Sequence, residues 1–192
     1  MGRVIAGRLR GRKLKTVPGM STRPTTDRCK EALFNRIQME VQDADFLDLC
    51  AGSGQIGIEA LSRGARSVCF VEKSRQAARV IESNLQELGL EDSAELLRMD
   101  LKSALQFLDR RQSSFDLIFC DPPYAEVNLL LPKILKTLRQ TKLWRPEGLF
   151  ILESGLVESG RFLENFAWEA EQVRCLASCP YGAALLSFIV HL

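Results

Sequence analysis

The sequence predicts an α/β protein: a doubly wound, mostly parallel seven-stranded sheet with an antiparallel C-terminal edge hairpin, preceded by a basic N-terminal β-hairpin. Three observations carry this. From residue 44 onward, apolar runs of strand length alternate with stretches whose apolar residues recur every three or four positions, the signature of repeated βα units. Near the end two strand-like runs follow each other directly, which places an antiparallel hairpin on the sheet edge. The composition, 46% hydrophobic and 26% charged over 192 residues, is that of a globular domain with a sizeable core, and 13 Gly and 7 Pro are too few for collagen-like or low-complexity classes. The expected division is a hairpin extension over 1–22 and one domain over 23–192.

Taken in order, residues 4–17 mix β-formers with basic residues and glycines and read as a short hairpin closed by Pro18 and Gly19. Thr25 or Thr26 then caps a helix running to about Val41, with Leu33, Phe34, Ile37 and Val41 on one face. Strands are predicted over 46–50, 68–71, 94–99, 115–120 and 149–152, with helices over 55–63, 103–108 and 129–138 between them. A further helix is capped by Ser74, shows Ala77, Ile81, Leu85 and Leu88 on one face, and stops at Gly89. The last two strands, 169–177 and 183–191, are joined by Cys179, Pro180, Tyr181 and Gly182.

The formal charge of +2 conceals an asymmetry. Residues 1–30 carry nine Lys and Arg against Asp27 alone, a balance of +8, which leaves −6 for the rest. A basic arm on an acidic body points to a polyanionic partner. Gly2, Gly7, Gly11, Pro18 and Gly19 break the amphipathic helix that a transit peptide needs, and no apolar run follows the first charges as in a secretory signal. Ala6 stands where a myristoylation signal wants Ser or Thr. The charge-free stretch 175–192 is split by Pro180–Gly182, so no membrane span is expected. Cys50, Cys69 and Cys120 fall in strand-like runs, and Cys175 and Cys179 have no second pair to complete a zinc site. The six cysteines therefore read as buried thiols in a reducing cytoplasm.

Chemistry concentrates in two places. Asp48, Leu49, Cys50, Ala51, Gly52, Ser53, Gly54, Gln55, Ile56 and Gly57 are a strand emptying into a glycine turn that opens a helix. The G-x-G-x-x-G spacing lets backbone approach a nucleotide ligand, and Glu72, 20 residues past Gly52 at a strand end, stands where a ribose-binding acid belongs. Asp121, Pro122, Pro123 and Tyr124 follow the strand over 115–120. There the carboxylate and the Pro122 carbonyl accept hydrogen bonds from an exocyclic amine, while Tyr124 offers a stacking face to its ring.

This set of residues resembles the class I S-adenosylmethionine-dependent methyltransferases, Rossmann-like enzymes that act on exocyclic amines. The segment IAGRLRGRKL (5–14), the run 22–28 leading into Leu33-Phe34-Asn35, and Tyr181-Gly182 further resemble the RsmD-type bacterial enzymes, which methylate the N2 amine of one guanine in 16S ribosomal RNA. The resemblance implies that Asp48, Ala51, Gly52, Ser53 and Gly54 hold the methionine part of the cofactor, Glu72 and Lys73 the ribose, and Asp100 and Leu101 the adenine. Asp121, Pro122 and Tyr124 would hold the target guanine and carry the catalysis, Asp121 also lying against the cofactor. It also implies 16S rRNA within a small-subunit assembly particle as partner, S-adenosylhomocysteine as by-product, and a monomer.

The chemistry needs no metal. Hydrogen bonds from both N–H groups of the amine favour a more tetrahedral nitrogen as positive charge develops, and Asp121 is placed to take the surplus proton. Arg3, Arg8, Arg10, Arg12, Lys13 and Lys15 would run along phosphates. Arg23, like Arg28, suits either RNA contact or bracing of the Pro-Pro loop. Deleting residues 1–20 is expected to impair RNA binding and spare cofactor binding. The role of Glu153, at a strand end, stays open. Three other readings remain: a DNA adenine-N6 methyltransferase, for which 124–149 leaves no room for a target-recognition insertion; a NAD-dependent oxidoreductase, which leaves Asp121–Tyr124 unexplained; and a non-catalytic RNA-binding assembly factor.

Overall fold

In the computed structural model, which describes residues 2–17 and 27–192, the seven longer strands are ordered β5-β4-β3 in one compact unit and β6-β7-β9-β8 in the other. These strands are β3 (Asp45–Leu49), β4 (Ser67–Val71), β5 (Ala94–Leu97), β6 (Phe115–Cys120), β7 (Trp144–Gly155), β8 (Val173–Tyr181) and β9 (Ala184–His191). The α/β class and the antiparallel C-terminal edge are therefore as expected. The chain falls into two compact units, Met1–Ala104 and Leu105–Leu192. Among the described residues no helix is long and apolar enough to cross a membrane.

In the first unit β3 pairs parallel with β4, and β4 parallel with β5. Their side chains Phe46, Leu47, Leu49, Val68, Phe70 and Val71 are buried, as strands covered on both faces must be. Helix α2 (Gln55–Ser62) follows β3 and is buried almost all round. A Cβ at Gly57 would lie 2.2 Å from the Phe70 ring, so only glycine lets this helix close on the sheet. Helix α3 (Arg75–Leu88) is capped by Ser74, whose hydroxyl accepts from the Ala77 amide, and ends at Gly89 in the left-handed region. Helix α4 (Leu101–Arg110) begins two residues earlier and ends two later than the sequence suggests. Helix α1 (Asp27–Arg36) stops short of the expected end, but bonds from the Ile37 and Val41 amides to Leu33 and Ile37 carry the turn onward with both side chains buried.

The arm forms the expected hairpin, with β1 (Gly2–Arg3) antiparallel to β2 (Lys13–Leu14). Its reversal lies within 7–11, where Gly7 and Gly11 have φ of 80° and 83°, and the expected closure at Pro18 and Gly19 falls outside the described residues, as do Arg23, Thr25 and Thr26. The arm is built into the first unit rather than appended to it. Val4 and Leu14 are buried, the Ile5 and Ala6 amides donate to the Glu59 carboxylate at 2.8 and 2.9 Å, and the Leu9 amide donates to Ser62 Oγ at 3.0 Å. Buried Lys30 donates to the Arg3 carbonyl at 2.6 Å and stands 3.8 Å from Glu59. Burial holds the Lys30 pKa below its usual value, with the Glu59 charge opposing. Removing residues 1–20 would strand this buried carboxylate and ammonium, so the deletion is no clean test of RNA binding.

In the second unit β6 pairs parallel with β7, β7 antiparallel with β9, and β9 antiparallel with β8. Helix α5 (Val127–Gln140) contains Pro132 and buries Val127, Leu131, Ile134, Leu135 and Leu138. Strand β7 is far longer than the expected 149–152. A helix the sequence did not betray, α6 (Leu156–Glu164), follows it and buries only Ser159, Gly160 and Leu163. Strand β8 starts later than expected, because 168–171 form a 3-10 turn, and it runs on through Pro180. An edge strand tolerates that proline, since one side has no ladder to complete. The turn is then at Gly182, with φ of 65°.

Candidate active site

The first unit presents a glycine loop at the carboxyl ends of its parallel strands. The loop leaves β3 at Cys50, and Cys50, Gly52 and Gly54 all have positive φ, of 65°, 57° and 77°. A cysteine in this region costs on the order of 1 kcal/mol, and such strain persists where the surroundings impose it. The Ala51 amide donates to the Val71 carbonyl at 2.9 Å, which pins the loop to the end of β4. Gly54, the N-cap of α2, has no side chain to satisfy the helix amides. Asp48 on β3 supplies the missing acceptor: its Oδ2 takes the Gly57 N–H at 3.0 Å, placing a carboxylate at the positive end of the helix. Asp48 is 1% exposed, and burial, helped by the charge of Glu72, pushes its pKa up to about 7 against the pull of the Gly57 N–H.

Glu72 follows the last residue of β4. One of its oxygens accepts the Gly52 amide at 2.8 Å and the other the Ser74 amide at 2.7 Å, so a single buried carboxylate fixes both the glycine loop and the start of α3. Lys73 beside it is exposed. Asp100 lies past the end of β5 and caps α4, accepting from the Ser103 amide at 3.0 Å and hydroxyl at 2.7 Å; these bonds hold its pKa below the usual carboxylate range. Leu101 is the first residue of that helix. The structure thus brings Asp48, Ala51, Gly52, Ser53, Gly54, Glu72, Lys73, Asp100 and Leu101 to the same ends of three adjacent parallel strands.

In the second unit Asp121 directly follows β6, with Pro122 buried behind it. Tyr124 opens a 3-10 turn that leads into α5, and the Glu126 amide closes that turn on the Pro123 carbonyl at 2.8 Å. The strand β7 and the helix α6 clasp the tyrosine. Its hydroxyl donates to Glu153 Oε1 at 3.3 Å, its carbonyl accepts from Ser159 Oγ at 3.4 Å, and a Cβ at Gly155 would lie 2.5 Å from its ring. Glu153 is 2% exposed and sits one residue past the Cys120–Leu152 pair of the β6–β7 ladder, level with Asp121. Sequence reasoning left Glu153 without a role and missed Gly155 and Ser159. A carboxylate at the end of an otherwise apolar strand was the signal.

On the arm, Arg8, Arg10 and Lys13 are exposed. Arg3 pairs with Asp27 at 2.9 Å, Arg12 donates to the Glu87 carbonyl at 3.0 Å, and the Lys15 ammonium reaches Ser83 Oγ at 2.8 Å and the Glu87 carboxylate. The expected phosphate-binding cations therefore divide into three that face solvent and three that also tie the arm down. Of the six cysteines expected to be buried, Cys29, Cys69 and Cys120 are, whereas Cys50, Cys175 and Cys179 are half-buried, and Cys50 lies just beyond its strand rather than in it.

The family model described as conserved hypothetical protein 95 matches residues 2–171. Ribosomal RNA small subunit methyltransferase D of Escherichia coli K12 is 36% identical over 179 residues, covering 93% of this chain and 87% of that one. YlbH of Bacillus subtilis 168 is 42% identical over 151 residues, 79% of this chain and 81% of its own. Among solved structures, a hypothetical protein of Thermus thermophilus superposes with a TM-score of 0.79 at 26% identity and covers all of both chains.

Proposed function

The chain belongs to the conserved hypothetical protein 95 family, and from that membership and the two sites we propose that it methylates the exocyclic N2 amine of one guanine in 16S ribosomal RNA, using S-adenosylmethionine. Ribosomal RNA methylation follows the small-subunit methyltransferases it is similar to; the choice of an exocyclic amine rests on Asp121 beside a clasped Tyr124. That pairing of an acceptor with an aromatic face is the observation that carries the reading.

The residues of the first unit fit the cofactor. A Cβ at Gly52 would point into open space, so the loop backbone has room for a ligand, and each Glu72 oxygen, having accepted one amide, keeps a lone pair for a ribose hydroxyl. Asp100 and the Leu101 amide offer an acceptor and a donor to an adenine edge. Bound there, S-adenosylmethionine supplies an electrophilic sulfonium methyl group and leaves as S-adenosylhomocysteine. Asp121 and the Pro122 carbonyl hold the two amine protons so that the nitrogen lone pair is freed from the ring, and Asp121 takes the surplus proton as the N–C bond forms. Tyr124 keeps the base in plane, and Glu153 and Gly155 keep Tyr124 in place. Orientation supplies much of the remaining rate.

A guanine reaches Tyr124 only out of its stack, at least cost in a loop or open strand. Arg8, Arg10 and Lys13 meet phosphates without reading sequence. The rest of the proposal is a monomer acting in the cytoplasm on a small-subunit assembly particle. Mapping methylated nucleotides in ribosomal RNA from cells with and without the gene tests it: a single N2-methylguanine in 16S RNA should vanish. Loss of a mark on another base, or of none, would sink the N2-guanine assignment, and transfer to duplex DNA in place of RNA would move the activity to a different substrate class.

A further inference from the structure

Asn84 lies in the middle of α3, 1% exposed, and its amide is shared between the arm and the glycine loop. Its Oδ1 accepts the Lys15 backbone N–H at 2.8 Å. Its Nδ2 donates to the Lys15 carbonyl at 3.1 Å and to the Ser53 carbonyl at 3.3 Å. An amide nitrogen has two N–H groups, and here one goes to each segment. Neither segment can lift away without stranding a buried donor.

A second route joins the same two segments. Gly2 packs so tightly on the Gln55 side chain that a Cβ there would lie 2.5 Å from its Oε1, and Gln55 Nε2 in turn donates to Ser53 Oγ at 3.1 Å. Ser53 is thereby held by its carbonyl and by its hydroxyl, in both cases by a side chain that also touches the arm. A ligand site made largely of backbone depends on the loop being fixed before the ligand arrives.

We propose that Asn84 is a positioning residue that couples the basic arm to the glycine loop, so that affinity for S-adenosylmethionine depends on the arm's backbone being seated. The inference rests on the loop being the cofactor site, as argued above. By linkage, a phosphate chain that holds the arm in place also tightens cofactor binding, and by the same factor the cofactor tightens RNA.

Calorimetric titration of the full chain with S-adenosylmethionine, each variant held well below its own Tm, separates the possibilities. Asn84→Asp keeps an acceptor for the Lys15 N–H but has no N–H for Ser53, Asn84→Leu removes all three bonds at similar volume, and Gln86→Ala changes an exposed side chain of the same helix. Kd should rise about tenfold in both Asn84 variants and stay unchanged in Gln86→Ala. Gln55→Ala, at a half-buried position, should raise it about threefold, and it decides the matter if the buried substitutions do not fold. A lowered Tm with Kd within about twofold of the parent in these Asn84 and Gln55 variants would make the contacts merely structural and overturn the coupling. A parent chain that fails to bind S-adenosylmethionine at all would overturn the cofactor reading itself.

Discussion

The glycine loop and the proline loop solve the same problem, holding a strand end open to a ligand, with opposite materials. In the first, side chains serve the backbone: Asp48 and Glu72 accept from the amides of Gly57, Gly52 and Ser74, and the loop they shape would offer main chain to the proposed cofactor. In the second, backbone serves the side chains: Pro122 and Pro123 stiffen the chain, and Gly155 and Ser159 make room for and anchor Tyr124, so that Asp121 and the ring are what the proposed target base would meet. This contrast locates where function should be sensitive. Carboxylate substitutions in the glycine loop ought to alter binding through geometry, whereas those in the proline loop ought to alter chemistry directly.

The sharpest break is Asp121→Ala. Loss of an acceptor at the reacting amine should lower the transfer rate at least about a thousandfold, while Kd for S-adenosylmethionine stays within about twofold. Single-turnover methylation of 16S RNA fragments alongside calorimetry reads both. An equal loss of cofactor binding would put Asp121 among the cofactor contacts, as the family resemblance also allows, and erase the contrast between the loops.

Glu72→Ala should produce the opposite pattern and a smaller effect. The two ribose hydrogen bonds proposed for this side chain would be lost and the Gly52 and Ser74 amides lose their acceptor, so Kd for the cofactor should rise about a hundredfold, with the rate at saturating cofactor largely restored. A fall in the saturated rate with Kd unchanged would contradict the assignment of this carboxylate to binding.

Much of the first loop was legible because its parts are near in sequence and obey rules of spacing: a strand, three glycines, a helix, and an acid at the next strand end. Asp121 to Tyr124 was legible as a motif, but its support was not. Helix α6 escaped notice because Leu156 and Val157 are exposed, 38% and 88%, so its apolar residues mark no inward face, and the clasp on Tyr124 went with it. The arm read as a detachable basic hairpin because charge dominates its composition. What seats it is backbone bonding to Glu59, Ser62 and Asn84, polar residues on buried helix faces. Glu59, flanked by Ile58, Ala60 and Leu61, was the visible sign that something polar had to cover α2.

The mildest test concerns Asp48, the buried carboxylate behind the glycine loop, whose pKa is pushed up to about 7. Its pKa in the folded chain, about 7, lies above the ordinary 3.8, so the folded state holds a proton that the unfolded state releases between those values. Its contribution to stability is therefore full below pH about 4 and is lost as pH rises through about 7. The cofactor works the other way: a sulfonium and an ammonium favour the ionised carboxylate, so cofactor affinity should rise about tenfold between pH 6 and 8 as Asp48 ionises. Asp48→Asn keeps an acceptor for the Gly57 amide and should flatten both trends, removing the loss of Tm toward alkaline pH in the free protein and the gain in affinity. Calorimetry and thermal melts across that range check the pair together. If the variant kept the parent's pH profile, Asp48 would serve only as the cap of α2, and the glycine loop would act on its ligand through backbone alone.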